Sequence, residues 1–415
     1  MKEKVILHCD LNCYYASVEM LYHPELRNVP MAIAGDPENR HGIILTRNKL
    51  AKRTGIKAGE SILEAKKKCP NLVIRTPDYD SYDYFSKRVR ELYYEYTDRI
   101  EPFGLDECWL DITDSIKLFG SKMNIVNDIL RRVKEEIGLT LSIGVSNNKI
   151  WAKLGSDLVE ENEYCIIDKL EDIENLSADS LLNIGTKTFK KLNSYGLYTI
   201  GDIAHNNINY LKALFGKWGE MMYYFANGQD FSEVAKYGAP YEVIKSIGNS
   251  STTVRDLYDL DDLKVVLTIL CESVGSRVKD AGMYFKTVHL YLRNKKLEGV
   301  GMQMTLRENT DLVSDIYKSA LLLFKKNKID FTIPFRSVGV SVSNLSFTKE
   351  DSPLKLFDDD SYSLKEKNID LALEDIRRRF GYHSISKLRV FEDRELSNFN
   401  IKEEHTVFPV SYFRR

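Results

Sequence analysis

Two short stretches of the sequence set acidic side chains against apolar ones. KVILHCDLN (4–12) carries Asp10 at the end of a buried strand, and GLDECWLD (104–111) places Asp106 beside Glu107. Carboxylates next to a core are costly unless a cation neutralises them, and hard oxygen ligands favour Mg²⁺. Two such ions about 3.5–4 Å apart would support phosphoryl transfer. Because surface acid pairs are common, the pattern alone leaves a structural role open.

The elements around these acids predict how they could converge. Residues 4–158 read as β–α–insert–α–β–α–β–α, the pattern of a ferredoxin-like α+β layer with an inserted basic module. The first and third strands of such a layer are neighbours, so Asp10 would lie beside Asp106 and Glu107. Successive strand residues point to opposite faces, so both acids can serve one site only near a bend, which Gly104 could supply.

Bulk composition limits the class of protein. The chain has 415 residues, 59 Lys+Arg, 61 Asp+Glu and 43% hydrophobic content, which is enough for roughly two to four domains. We find no apolar run long enough for a transmembrane helix, and the N-terminus does not resemble a secretory signal. The six cysteines are scattered without a C-x-x-C pair, which predicts reduced thiols in a cytoplasmic protein.

The near-neutral total hides an uneven charge distribution. Residues 40–75 carry ten basic side chains against Glu60 and Glu64, whereas residues 91–111 carry seven acidic ones against Arg99. A basic lobe beside an acidic strand suits a site where a polyanion meets metal ions. Two solvated helix faces would produce the same counts, so composition does not decide between them.

Three motifs resemble those of a known enzyme family. DLNCYYASVE (10–19), GLDECWLD and LSIGVSNNKIWAKLGSDL (141–158) are similar to the palm motifs of the Y-family translesion DNA polymerases, in that order and at similar spacing. RHGIILTRNKLAKRTGIKAGESILEAKKKCP resembles the fingers, and KSIGNSSTTVRDL with FRSVGVSVSNL the little finger. The resemblance covers roughly residues 3–348 and is closest to the bacterial DNA polymerase IV type, in its Gram-positive form.

The resemblance implies an α+β right-hand polymerase: a ferredoxin-like palm (1–10 and 76–165), small fingers (11–75), a helix-hairpin-helix thumb (166–238), a separate α/β little finger (239–348) and a C-terminal tail (349–415). It implies template-directed, low-fidelity translesion synthesis by two-metal transfer of dNTPs onto a primer 3′-OH. It also implies a cytoplasmic, nucleoid-associated bacterial protein, a monomer without membrane contact, whose partners are primer-template DNA, dNTPs and the sliding clamp.

The same resemblance assigns the catalytic site. Asp10, Asp106 and Glu107 become the ligands of two Mg²⁺ ions, with Mn²⁺ as a substitute, and Leu11 adds its backbone carbonyl. Tyr15 matches the steric gate, a ring that leaves no room for a ribonucleotide 2′-hydroxyl. The other residues implied to bind nucleotide are Tyr14, Thr46, Lys49 and Lys52.

Two departures from the family pattern concern the triphosphate. Many members have Tyr and Arg where this chain has Lys49 and Lys52, and lysine lacks the bidentate fork of arginine. The family usually places a Lys-Pro pair where this chain has Glu160 and Glu161. We expect Glu160 to turn away and another cation to compensate; Lys149 and Lys153 are the candidates, and a structural role for either stays open.

The family resemblance implies DNA contacts in the thumb and in the little finger. It implies a clamp contact in the C-terminal tail. NIGTKTFKKLNSYGL (183–197) resembles a helix-hairpin-helix that binds phosphates without reading sequence. The implied contacts there are Gly185, Lys187, Thr188 and Lys190, and those of the little finger are Lys245, Ser246, Ser250, Thr252, Arg255, Lys286, Arg293 and Arg336. PLKLF (353–357) is similar to a clamp-docking peptide through Leu354, Leu356 and Phe357, although an apolar patch folded on the body would look alike.

Two other functions compete with a polymerase. A nucleotidyl cyclase can share a ferredoxin-like palm and two-metal acids, but it needs no grip on duplex DNA. A non-catalytic DNA-binding subunit would explain Glu160 and the altered fingers residues, but it would not need Asp10, Asp106 and Glu107 together.

Overall fold

The computed structural model describes residues 4–35, 42–238, 244–349 and 360–397. The described residues up to 238 form one compact unit and those from 244 onward form a second. Within the described residues no helix is long and apolar enough to cross a membrane.

The first unit contains eight strands and eleven α-helices in its described residues. The strands are β1 (Ile6–Leu11), β2 (Met31–Ala34), β3 (Ile44–Arg47), β4 (Val73–Arg75), β5 (Ile100–Pro102), β6 (Glu107–Asp111), β7 (Leu141–Ser146) and β8 (Tyr164–Ile167). The helices are α1 (Tyr14–Tyr22), α2 (Lys49–Arg53), α3 (Ile62–Lys68), α4 (Tyr79–Tyr94), α5 (Ile116–Phe119), α6 (Lys122–Arg132), α7 (Lys149–Leu158), α8 (Thr186–Asn193), α9 (Ile200–Ala204), α10 (Ile208–Phe215) and α11 (Lys217–Ala226).

A five-stranded sheet in the order β5-β6-β1-β7-β8 is the centre of the first unit. β1 pairs antiparallel with both β6 and β7, so the strand that carries Asp10 lies next to the one that begins at Glu107. Alternate residues of β1, including Leu7 and Cys9, enter a core with α4 and α6. The remaining residues, including His8 and Asp10, therefore face α7 on the other side of the sheet.

Helix α7 lies against the sheet because Gly144 of β7 has no side chain. A Cβ at this position would lie 1.8 Å from the carbonyl oxygen of Ala152. The close approach brings the α7 side chains Lys153 and Ser156 to the face of β1 that carries Asp10 and His8. One glycine thus determines which helix residues reach the acidic cluster.

A smaller three-stranded sheet in the order β3-β2-β4 forms a separate layer with α2 and α3. Asn48 caps α2 by accepting a hydrogen bond from the Ala51 amide at 3.0 Å. Ser61 and Glu64 form a reciprocal capping box at the start of α3. This layer corresponds to the segment that resembles the fingers.

Helices α8 to α11 form a third core in the first unit, built from residues such as Leu192, Ile203 and Met222. The α8–α9 connection turns at Gly196, whose φ of +76° favours glycine. Gly219 lets α11 approach α10, since a Cβ there would lie 2.0 Å from the Leu211 carbonyl oxygen. Of the range 183–197 that was predicted to form a helix-hairpin-helix, the structure shows α8 and the turn at Gly196, and the next helix, α9, begins at Ile200.

The second unit is a four-stranded antiparallel sheet, in the order β11-β10-β12-β9, covered by helices. Its described elements are β9 (Ser246–Leu257), α12 (Leu260–Asp280), β10 (Phe285–Asn294), β11 (Gly299–Thr310), α13 (Val313–Lys326), β12 (Phe335–Ser343), α14 (Asp360–Phe380) and α15 (Arg394–Ser397). Alternate strand residues such as Leu290 and Val340 are buried with α12 and α13, and neighbours such as Tyr291 are exposed.

The helices after residue 360 belong to the second unit. Arg377 of α14 pairs with Glu272 of α12 at 2.8 Å, and both side chains are buried. Asp370 accepts a hydrogen bond from the Val313 amide at 3.1 Å, and Leu396 of α15 enters the core. The described part of the predicted C-terminal tail is therefore folded against the sheet domain.

Candidate active site

Asp10 and Glu107 are directly opposite each other on β1 and β6. The ammonium of Lys153 lies between them, with its Nζ 3.1 Å from Asp10 Oδ2 and 3.1 Å from Glu107 Oε2. The same Nζ lies 2.9 Å from Asp157, one turn along α7. Burial raises the pKa of both Asp10 and Glu107, and the attraction of Lys153 opposes that rise.

Asp106 sits in a bend just before β6. Gly104 has a φ of +106°, and the Asp106 carbonyl accepts a hydrogen bond from the Leu11 amide at 3.1 Å. Helix α4 fixes the bend, because Arg90 donates to the Gly104 carbonyl at 2.7 Å and Ser86 donates to a neighbouring carbonyl. The bend that Gly104 was predicted to supply is therefore present.

The pKa of Asp106 shows that the three carboxyls share one electrostatic environment. Burial, together with the negative charges of Asp10 and Glu107, raises this pKa to about 7. Carboxyls that repel one another in a poorly solvated site attract a cation strongly.

His8 lies beside Glu107 on the face of the sheet that α7 covers. Its Nδ1 lies 2.8 Å from Ser156 Oγ, and its Nε2 lies 3.2 Å from Glu107 Oε2. Burial, aided by the charge of Lys153, lowers the pKa of His8 to about 3, so the ring is neutral. Ser156 Oγ in turn donates a hydrogen bond to the Lys153 carbonyl at 2.8 Å. His8 is thus a packed and hydrogen-bonded core residue.

The chemistry of these donors fits a hard divalent ion. Asp10, Asp106 and Glu107 supply carboxylate oxygens, and Glu107 Oε2 makes no hydrogen bond of good geometry although Lys153 lies within ion-pair distance. In the part of the chain that the structure describes, no three acidic, histidine or cysteine side chains are grouped closely enough to enclose an ion as they stand. Lys153 supplies the positive charge between two of them.

Four tyrosines form the side wall next to Asp106. The ring of Tyr15 stacks on that of Tyr82, with centroids 4.3 Å apart and planes 11° apart, and meets Tyr79 edge-on at 6.0 Å. Tyr14 is buried and donates its hydroxyl to the Tyr82 carbonyl. No motif singles out Tyr82 in the sequence, although the helical spacing of the aromatic residues in DYDSYDYF is typical of a packed face.

Lys49, one of the residues implied to bind triphosphate, pairs with Glu161. Their side chains form an ion pair, and Thr140 donates a hydrogen bond to Glu161 at 2.7 Å. These hydrogen bonds lower the pKa of Glu161 against the effect of its burial. The pair closes one side of a cleft of about 460 Å³ that Asn12 and Cys13 also line.

The other residues that the sequence placed at the triphosphate are distributed around this region. Thr46 is half-buried on β3, and Lys52 is exposed on α2. Glu160 is exposed, and its backbone carbonyl accepts a hydrogen bond from Ser142 at 3.1 Å. Lys149 is buried and pairs with Glu101 at 2.8 Å, so of the two candidate cations only Lys153 reaches the acidic cluster.

The residues implied to bind DNA are at least partly accessible. In the first unit Gly185 precedes α8, and a Cβ at this position would meet no atom within 4 Å, so packing does not require glycine there. In the second unit Arg255 is engaged by protein carboxylates, at 2.7 Å from Asp262 and 2.6 Å from Asp393. The remaining exposed or half-buried candidates are Lys187, Thr188, Lys190, Lys245, Ser246, Ser250, Thr252, Lys286, Arg293 and Arg336.

The residues predicted to dock in the sliding clamp, Leu354, Leu356 and Phe357, lie outside the described residues.

Comparisons with known proteins match the chain to two family models and to named relatives. The impB/mucB/samB family model matches residues 9–157, and the model of its C-terminal domain matches residues 244–355. DNA polymerase IV of Acetivibrio thermocellus is 42% identical over 398 residues, which is 95% of this chain and 99% of that protein. DNA polymerase IV 2 of Bacillus subtilis is 34% identical over 92% of this chain and 93% of its own length.

A solved structure shares the fold. The Y-family DNA polymerase chimera Dbh-Dpo4(243-245)-Dbh matches with a TM-score of 0.71 and 22% identity, covering 83% of this chain and all of that one. The architecture is therefore that of a Y-family polymerase, which confirms the predicted α+β fold class. With its curated relatives and both family models, the chain belongs to the Y-family DNA polymerases of the DNA polymerase IV group.

Proposed function

We propose that this chain transfers dNTPs onto a primer 3′-OH with two Mg²⁺ ions held by Asp10, Asp106, Glu107 and the Leu11 carbonyl, with Mn²⁺ as a substitute. As a member of its family it is a DNA-directed DNA polymerase that carries out translesion synthesis, and its family requires divalent metal ions. Hard carboxylate donors and a phosphate substrate favour Mg²⁺. Such ions activate the attacking oxygen and stabilise the leaving pyrophosphate.

Lys153 prepares the carboxylates for that role. Burial alone would favour the neutral acids, but the ammonium 3.1 Å from Asp10 and Glu107 favours their charged forms. Its ion pairs also hold the two side chains against each other across β1 and β6. A cation then meets oxygens that are already oriented, which lowers the cost of ordering the site.

The nucleotide would lie between the tyrosine wall and the fingers-like layer. Tyr15, beside Asp106, is proposed as the steric gate under the sugar, with Tyr14 behind it. Thr46, Lys49 and Lys52 would contact the triphosphate from β3 and α2, provided that Lys49 exchanges Glu161 for phosphate. Helices α2 and α3 have only 5 and 7 residues, so little surface presses on the nascent pair, which favours low fidelity.

Primer-template DNA would be held through its phosphates. The α8 start at Gly185 with Lys187, Thr188 and Lys190 would hold one stretch of backbone, and the exposed sheet face of the second unit would hold another. Contacts of this kind carry little sequence preference and weaken strongly with salt. Clamp binding through PLKLF, a monomeric state and a place in the cytoplasm at the nucleoid are proposed from the family resemblance alone.

The convergence of Asp10, Asp106 and Glu107, two of which pair with Lys153, carries the proposal. Primer extension on a lesion-containing template with Mg²⁺ tests it, comparing the native protein with Asp106→Ala. We expect templated extension that the substitution reduces by roughly 100- to 1000-fold, as for loss of a group that acts in the transition state. DNA binding without extension in the native protein would support the non-catalytic subunit, while family membership already excludes the cyclase.

A further inference from the structure

Tyr291 lies along the outer face of the sheet in the second unit. On β10, Leu290 and Leu292 enter the core with the helices, so Tyr291 points to the opposite face. Its ring covers Gly299 of β11, because a Cβ at Gly299 would lie 2.2 Å from the Tyr291 hydroxyl oxygen and 2.8 Å from its Cζ. The side chain is nevertheless 43% exposed. One side of the ring therefore rests on backbone, and the other meets solvent.

The residues beside Tyr291 leave the outer side of its ring open. In the register of the sheet, Tyr291 is opposite Gly301 on β11 and Gly339 on β12, and Gly339 is in turn opposite Ser250 on β9. None of these three neighbours has a side chain large enough to cover a tyrosine ring. An exposed ring between such small residues has room for a second flat group to stack on it.

A charged residue on the same strand indicates the chemistry of that group. Arg293 is exposed and follows Tyr291 by two residues, so it faces the same side of the sheet roughly 7 Å away along β10. A cation and an open aromatic ring at this spacing suit a nucleotide, because the phosphate meets the cation and the base meets the ring. In duplex DNA the faces of the bases are already stacked on one another, so an unpaired strand is the form that offers a base to Tyr291.

We propose that Tyr291 is a stacking site for a base of single-stranded DNA, the unpaired part of the template, and that Arg293 holds a neighbouring phosphate. This inference deepens the proposed function and rests on it, since it takes the outer sheet face of the second unit as a DNA-binding face. Contacts to phosphate alone are open to paired and unpaired strands alike. A stacked base adds a preference for unpaired DNA without reading its sequence, because every base has a π-face.

The test measures Kd of the whole chain for two labelled single strands by fluorescence anisotropy. One is a short thymidine oligonucleotide, and the other has the same length but carries abasic sugars only. Tyr291→Ala should raise Kd for the thymidine strand roughly fivefold to 100-fold, the factor that about 1–3 kcal/mol of base stacking gives at about 1.4 kcal/mol per decade. Kd for the abasic strand should not change, because that strand keeps its phosphates and has no base. Tyr291→Phe keeps the ring and should bind both strands as the native protein does.

Tyr258→Ala is the matched control. Tyr258 is also an exposed tyrosine of the second unit, at 60%, but it lies between β9 and α12, outside the sheet. Its replacement should leave both Kd values unchanged. An equal rise of Kd for the two strands in Tyr291→Ala would show that the ring packs against sugars, and an unchanged Kd for the thymidine strand would show that no base stacks there. Either result would overturn the proposal. If Tyr291→Ala does not fold, Tyr291→Leu, which still covers Gly299 but has no ring, is measured in its place.

Arg293→Ala separates this inference from the proposed DNA-binding face. It should raise Kd for the thymidine and abasic strands by the same factor, because both carry the phosphate that Arg293 would hold. If neither Arg293→Ala nor Tyr291→Ala changes either Kd, the sheet face does not bind DNA and that part of the proposed function fails as well. If Arg293→Ala weakens both strands while Tyr291→Ala changes neither, the stacking site alone is refuted. These measurements need no synthesis, so the result of primer extension does not affect them.

Discussion

The ammonium of Lys153 lies 3.1 Å from Asp10 Oδ2, although the two residues are 143 positions apart in the chain. The same ammonium lies 3.1 Å from Glu107. One buried cation therefore partly offsets the charge of two of the three carboxylates that are proposed to hold the metal ions. The stability of the protein without metal should depend on it.

We expect Lys153→Met to lower the free energy of unfolding by about 3 kcal/mol in the presence of EDTA, because it leaves buried carboxylates unpaired. Mg²⁺ should raise the free energy of unfolding of Lys153→Met by more than it raises that of the native protein. Urea unfolding with EDTA and with Mg²⁺ measures both quantities.

Lys149→Met is the control for Lys153→Met. It removes another buried lysine, whose ion pair with Glu101 lies away from the acidic cluster. It should lower stability as well, but Mg²⁺ should restore none of the loss. Equal Mg²⁺ responses in the two variants would refute the role assigned to Lys153.

The ion pair between Lys49 and Glu161 predicts opposite effects of two substitutions on nucleotide affinity. Glu161→Gln should free Lys49 for phosphate and lower KM for dNTPs roughly twofold, a small effect because Lys49 is exposed. Lys49→Ala should raise KM. Steady-state incorporation at varied dNTP concentrations measures both, and a rise of KM in both variants would show that the pair supports binding instead.

Some of the site could be predicted from the sequence because it depends on local order. The pairing of β1 with β6 follows from the palm pattern, and the bend at Gly104 follows from two adjacent acids that must share a face. The contact of Lys153 with Asp10 could not be predicted, because it depends on how closely α7 packs on Gly144. The Lys49–Glu161 pair joins two segments that are far apart in the chain, and no local sequence pattern predicts that they meet.

The second unit shows the same limit. The resemblance of two motifs to the little finger predicted a separate α/β domain, but nothing local indicated that Arg377 would pair with Glu272 or that Leu396 would enter the core. Long-range ion pairs form only after the helices have packed, so their partners are visible in the structure alone. Arg255 was predicted as a DNA contact from the resemblance of its segment to the little finger, and its carboxylate partners could not be seen in the sequence.

Gly104→Ala should reduce activity more than stability. A φ of +106° is unfavourable for alanine, and the new Cβ would lie 3.1 Å from Asp106 Oδ1. We expect a loss of about 1 kcal/mol in unfolding free energy and a clear fall in kcat for primer extension. Gly59→Ala, at a φ of +82° with no atom within 4 Å of the added Cβ, should share the strain but keep kcat. An equal kcat in Gly104→Ala and Gly59→Ala would show that catalysis does not depend on the bend at Gly104.

Arg255 and Arg293 should differ in what their replacement affects. Arg255 donates to Asp262 and Asp393, so Arg255→Ala should lower the unfolding free energy by about 2 kcal/mol, because it removes charged hydrogen bonds. Arg293 is exposed and donates a hydrogen bond to the Leu297 carbonyl at 3.1 Å. Arg293→Ala should leave stability within about 0.5 kcal/mol and weaken DNA binding equally on all sequences.

Salt dependence distinguishes the two arginines most directly. Because Arg293→Ala would remove one side chain that neutralises a phosphate, it should reduce the slope of log K against log salt by about 0.9. Arg255→Ala should leave that slope unchanged, because its guanidinium is already neutralised by two carboxylates. Fluorescence anisotropy of a labelled primer-template over a salt series gives both slopes. A reduced slope in Arg255→Ala would show that Arg255 leaves its carboxylate partners to bind DNA, and an unchanged slope in Arg293→Ala would remove Arg293 from the DNA-binding face.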